Sequence, residues 1–136
     1  MKDEITQSKK RGDQRRAPRA RVRSRLFLRA WNPVKGRRAE QPAILHDISL
    51  LGASMATCLR VQPGQWLDMD IPLGACPADA GLPDKLTGRG YVQRVSSGPE
   101  GTQHVAVRFG PSLCESPDMA TYMGYLLGAR PAPVFS

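Results

Sequence analysis

The sequence is poor in the residues from which most catalytic and cofactor sites are built. Its 136 residues include 2 His and 3 Cys. Cys58, Cys76 and Cys114 stand far apart, with no Cys-x-x-Cys pair. An odd number of scattered thiols, helped only by His46 and His104, forms neither a disulfide framework nor a zinc-ligand set, so no metal is expected. No His or Cys has a partner at catalytic spacing, and the carboxylates lie on turns and wet strand faces. Both features argue against an enzyme and leave no catalytic residue to name. Aromatic residues make up 6% of the chain, and no strand pattern interleaves them with basic residues as a nucleic-acid stacking platform requires. No run approaches the roughly 18 apolar residues of a membrane span. The start, Met1-Lys2-Asp3-Glu4, lacks the apolar stretch of a signal peptide. The expectation is a cytoplasmic protein without a membrane span.

What is present is glycine, proline and a lopsided charge. A chain of this length supports one hydrophobic core. An apolar fraction of 40% with 13 Gly and 12 Pro favours many short strands joined by turns over long helices. Residues 1–38 hold 14 of the 20 Lys and Arg against Asp3, Glu4 and Asp13, a balance of +11. The rest of the chain carries 6 basic and 9 acidic residues, a balance of −3. A basic arm on a mildly acidic body implies an anionic partner for the arm: a nucleotide, a nucleic acid or a membrane surface. Residues 1–12 are expected to be a disordered basic tail, 13–130 the folded domain and 131–136 a C-terminal tail.

The periodicity fills in the domain. Val22, Ser24, Leu26, Leu28 and Ala30 alternate with Arg21, Arg23, Arg25, Phe27 and Arg29, a period of two that marks a strand with one wet face. Asn32 to Gly36 is a turn cluster, and Gln41 to Ser49 returns as a second strand. Ala53 to Cys58 reads as a third. Leu67, Met69 and Ile71 alternate with Asp68 and Asp70 in a fourth strand, Trp66 to Pro72. The stretch from Gly74 to Asp84 reads as a loop. Leu86 to Val95 and His104 to Phe109 form a final hairpin. Only the C-terminus is helical in pattern, with Ser116 as N-cap, Pro117 in the first turn and an apolar stripe of Met119, Tyr122, Met123, Leu126 and Leu127 ending at Gly128. Six strands at short, regular spacing suit a closed antiparallel barrel, with one C-terminal helix packed on it and a flexible basic arm in front.

Two segments carry the chemistry: Arg15-Arg16-Ala17-Pro18-Arg19 before the first strand, and Asp47-x-Ser49-x-x-Gly52 at the end of the second. Matches to Arg-x-x-x-Arg start at Arg11, Arg15, Arg19, Arg21 and Arg25. Position selects Arg15 and Arg19, which precede the strand, where Pro18 keeps the backbone out of regular structure. Asp47 and Ser49, two apart, are expected to project from one face of a strand end. Gly52 is expected to give backbone freedom for a turn and let a ligand approach the main chain.

In this order, with one hairpin between them, the two segments resemble the signature of the PilZ family over roughly residues 11–128. The resemblance implies an all-β, six-stranded PilZ-type barrel that receives cyclic di-GMP. The ligand would lie against Arg15, Arg16 and Arg19 of a hinge that wraps over it, and against Asp47, Ser49 and Gly52. It also implies an adaptor that passes second-messenger level to an effector protein in motility, exopolysaccharide or regulatory machinery, with no cofactor of its own. The chemistry agrees. Guanine presents O6 and N7 acceptors that a guanidinium fork matches, and arginine also stacks on purines and pairs with phosphate. A carboxylate at Asp47 accepts from guanine N1 and N2 but repels a bare phosphate. Two alternatives stay open: a small β-barrel nucleic-acid binder, against which the acidic body speaks, and a PilZ-like interaction module that binds no nucleotide. The effector, the number of ligands per site and the oligomeric state are not legible.

Overall fold

The alternation along the first strand becomes the inside and outside of a barrel. In the computed structural model, residues 17–32, 36–74, 76 and 80–128 are described. The expected tails 1–12 and 131–136 and the hinge residues Arg15 and Arg16 lie outside them. Strand β1 (Ala20–Asn32) buries Leu26, Leu28 and Ala30 and exposes Arg21, Arg23 and Arg25. It is followed by β2 (Arg37–Ile48), β3 (Gly52–Thr57), β4 (Trp66–Pro72), β5 (Lys85–Ser97) and β6 (Gln103–Phe109). Every pairing is antiparallel. The strand order β1-β2-β3-β6-β5-β4 closes on itself, which removes the free edges that an open sheet of this size leaves for aggregation.

Inward residues from all six strands make a single core, with Leu26, Leu45, Met55, Met69, Val92 and Val105 each essentially inaccessible. Two helices follow. The sequence pattern gives only the second; the first, α1 (Pro111–Cys114), is a single turn too short for periodicity to reveal, and it buries Leu113. Helix α2 (Pro117–Gly128) starts as expected, with Ser116 Oγ accepting from the Met119 amide at 3.2 Å, and it buries Met119, Tyr122 and Met123. The second strand starts earlier than its sequence pattern suggests and ends at Ile48, so Ser49 lies beyond it. Among the described residues no helix is long and apolar enough to cross a membrane.

Outside the barrel, β1, β2, β4 and β5 share an ion-pair lattice. Arg29 donates to both oxygens of Asp70, at 2.7 and 3.1 Å. Thr87 Oγ1 donates to the same carboxylate at 3.0 Å, and Lys85 stands 3.7 Å away. Next to it, Asp68 accepts from Arg38 and faces Arg89 at 3.9 Å. The hydrogen bond from Arg29, reinforced by that from Thr87, overrides the opposing effect of burial and holds Asp70 at a pKa of about 2. An unfolded Asp titrates near pH ~4. Asp70 therefore adds stability that is complete above that value and is lost as pH falls toward 2. Comparing the unfolding free energy of the wild type and of Asp70→Asn between pH 6 and 2 tests this: the wild-type advantage should shrink steadily below about pH 4. A gap that does not change with pH would contradict it.

Candidate functional site

The site residues owe their orientation to slips in strand register. Along β2, Ala43 and Leu45 face the core. Two further residues would put Asp47 there as well. Instead β2 pairs Leu45 with Met55 but Asp47 with Ser54, leaving His46 as an extra residue. Beyond this bulge the phase is reversed, so that Ile48 enters the core and Asp47 turns outward. On the other side, β1 absorbs a matching slip between Arg21 and Ser24. Asp47, half-buried, accepts from Ser54 Oγ at 2.9 Å and from Arg19 Nη1 at 2.5 Å. The structure thus joins one residue of the arginine segment to one of the Asp47 segment. Arg15 and Arg16 lie outside the described residues.

Ser49 does not share a strand face with Asp47, because the strand has ended. It is 3% exposed and closes a tight turn. Its Oγ accepts from the Leu51 and Gly52 amides at 3.1 and 3.3 Å, while its own amide donates to the Gly52 carbonyl at 2.8 Å. Short hydroxyl side chains favour such local bonds over continued pairing. Gly52 is required for a different reason from the one expected. Its φ is not in the left-handed region, but a Cβ placed there would sit 2.2 Å from the Val107 carbonyl oxygen of β6. Close approach of two backbones, rather than turn freedom, excludes a side chain.

Arg19, Ser49 and Gly52 line a cleft of about 540 Å³ whose other wall comes from β5 and β6, with Gln93, Arg94 and Arg108. A second depression of about 440 Å³ shares Gln93 and Arg94 and reaches His46 and His104, whose rings stand 5.5 Å apart. Both volumes fall in the range of small-molecule sites. The wall residues were not among the sequence candidates. Val92 and Val95, three apart in a strand of period two, are the signal that could have found them, since that spacing marks a bulge. Among the described residues no three His, Cys, Asp or Glu side chains gather to hold a metal ion.

A neighbouring surface corrects another expectation. Arg25, Phe27, Arg29 and Trp31 do alternate on the outer face of β1, and Trp31 is 58% exposed. The barrel sets Trp66 edge-on to Tyr91 at 5.3 Å, with Arg89 4.9 Å above the Trp66 ring. Basic and aromatic residues are therefore interleaved there, within one strand and across neighbouring ones.

No protein-family model and no curated protein matches the chain. Solved structures do. The Bacillus subtilis inhibitor of motility MotI/DgrA superposes with a TM-score of 0.64 at 15% identity, over 85% of this chain and 51% of that one. The PilZ domain of Escherichia coli YcgR with c-di-GMP gives 0.57 at 13% identity, over 90% of this chain and 98% of that one. The K. pneumonia MrkH–c-di-GMP complex gives 0.55 at 16% identity, over 89% and 54%. The fold is PilZ-like, a six-stranded closed barrel followed by a helix. The chain spans about half the length of MotI/DgrA and of MrkH and nearly all of the YcgR domain.

The contact at Gly52 makes a direct prediction. Gly52→Ala forces β3 and β6 apart against a backbone atom that no rotamer can move, and should lower stability by about 1–3 kcal/mol or more. Urea denaturation reads this as a lower midpoint, and an unchanged midpoint would show that the strands are not as close as 2.2 Å implies.

Proposed function

We propose that this chain is a cytoplasmic cyclic di-GMP receptor that couples the ligand to an effector protein through its arginine hinge. The observation that carries the proposal is the Arg19–Asp47 pair, in which Arg19 lines the cleft and Asp47 stands next to it on β2, at an adjoining depression. The two residues supply opposite halves of guanine recognition: a fork for the O6 and N7 edge, and a carboxylate for N1–H and the N2 amine. Without ligand they satisfy each other. A solvent-exposed pair of this kind is worth about 1 kcal/mol or less, so guanine can replace it at little cost. Two of the structural neighbours are c-di-GMP complexes, which supports the same ligand here.

In this proposal Arg15 and Arg16 close over the bound ligand together with Arg19, while Ser49 and Gly52 shape the floor. The route to an effector starts at the same point. Ala17 and Pro18 line an apolar hollow with Leu50 and Leu51 of the turn and Met123 of α2. Movement of the hinge onto a ligand changes the surface offered next to α2, in the manner of a ligand-ordered segment. Motility is one setting, given that one neighbour is an inhibitor of motility.

The nucleic-acid reading gains the interleaved surface of Trp31, Trp66, Tyr91 and Arg89, but the charges there oppose it. Arg29 is held by Asp70, and Arg38 and Arg89 face Asp68. A phosphate backbone laid on that face would meet the carboxylates of Asp68 and Asp70, and Arg29, Arg38 and Arg89 already face them.

Isothermal titration calorimetry tests the proposal. Cyclic di-GMP should bind with a Kd on the order of tens of micromolar or tighter, with cyclic di-AMP and short single-stranded RNA much weaker. Arg19→Ala and Asp47→Ala should each weaken binding by about tenfold or more while leaving the thermal midpoint in place. Absence of cyclic di-GMP binding, with cyclic di-AMP or RNA binding well, would overturn it.

A further inference from the structure

We infer that Arg94 and Arg108, on the β5–β6 wall of the cleft, hold a phosphodiester of the ligand, and that the bulge at Gln93 exists to aim them. The inference rests on the cyclic dinucleotide reading and assigns it a polarity. Its starting point is local geometry. Strand β5 pairs Val92 with Val107 and Arg94 with Ala106, which leaves Gln93 as an extra residue. In an unbroken strand Gln93 and Arg94 would point to opposite sides of the sheet. Here both are exposed, and both line the two depressions that meet at this point. A bulge interrupts the hydrogen-bond ladder to re-aim a side chain, and such features gather near binding sites.

The ground between the walls is low. Gly52 and Ser54 of β3 stand opposite Arg108 and Ala106 of β6, so only small side chains separate Asp47 on one side from Arg94 on the other. Arg108 is two residues from Ala106 and shares its outward face.

Charge then decides what the wall takes. On the lattice face every arginine that reaches a carboxylate is matched: Arg29 with Asp70, Arg38 and Arg89 with Asp68. Arg19 is matched with Asp47. Among the described residues Arg94 and Arg108 have no carboxylate partner, and the cleft they line includes no Asp or Glu. Two unmatched guanidiniums around one concave surface attract an anion, and their planar forks fit phosphate oxygens in pairs. Asp47, beyond Arg19 at the rim of the cleft, repels phosphate, so the site is polar in a definite direction. A guanine goes to the Arg19–Asp47 side, a phosphodiester goes to Arg94 and Arg108, and the Gln93 amide lies between them.

The test is calorimetry with cyclic di-GMP at two salt concentrations on the wild type, Arg94→Gln, Arg108→Gln and the double variant, with Arg60→Gln as control. Arg60 sits apart, donating to the Gly101 carbonyl at 3.1 Å. Each single change should raise Kd about fivefold or more, and the double change should flatten the salt dependence, because fewer charges meet the phosphates. The control and all thermal midpoints should stay at wild-type values. A double variant that keeps wild-type affinity and salt dependence would overturn this assignment and leave the receptor reading intact. A wild type that does not bind cyclic di-GMP would overturn both.

Discussion

One inserted residue in β2 decides what the outside of this barrel can do. His46 has no partner in β3, and the half-turn of phase it introduces converts Asp47 from a core position to a surface carboxylate. Leu45 and Ile48 stay inside on either side of it. A buried, unpaired carboxylate would cost several kcal/mol, so the bulge is needed as much for folding as for function. Closure of the barrel, the outward turn of Asp47 and its contact with Arg19 all follow from where the slip falls. The second slip, at Gln93 in β5, does the same for the facing wall. Both bulges border one depression, and between them β3 and β6 place the small residues Ser54 and Ala106 opposite each other.

Two sets of arginines differ in their partners in a way that composition alone cannot show. Arg29, Arg38 and Arg89 on the β1–β2–β4–β5 face are tied to Asp68 and Asp70, and Asp70 is acidified to about pKa 2 by Arg29 and Thr87. They belong to the architecture, holding β1 to β4 and β2 to β4 across the seam that closes the barrel. Those at the cleft are free of carboxylates, apart from Arg19, whose bond to Asp47 is exposed and easily exchanged.

Much of this architecture can be read from the sequence, because alternation in β1 and β4 is regular and the capping pattern at Ser116 is complete. The closed order of strands agrees with the expectation, while α1 escaped notice because four residues give no period. Bulges are where sequence reading failed. Counting by twos puts Asp47 and Ser49 on one face, whereas the strand ends at Ile48 and Ser49 closes a turn. Gly52 stood out for its type, but its reason lies in a β6 carbonyl some 55 residues away, a contact that only the fold supplies. Gln93, Arg94 and Arg108 carry no motif. They line the cleft because β5 and β6 fold back beside β3. The alternation of Arg25, Phe27, Arg29 and Trp31 in β1 was legible, but the meeting of Trp66 and Tyr91 beside it comes from the pairing of β4 with β5.

The central claim is one of place: the ligand lies across β3 and β6, between Asp47 and the β5–β6 wall. Amide chemical-shift mapping of the ¹⁵N-labelled chain during addition of cyclic di-GMP tests it most directly. The account predicts saturable shifts concentrated at Arg19, at His46 to Ser54, at Gln93 and Arg94 and at Ala106 to Arg108, with Trp31 and Trp66 unmoved. Shifts concentrated on those two tryptophans and Arg89, with the cleft unmoved, would contradict it.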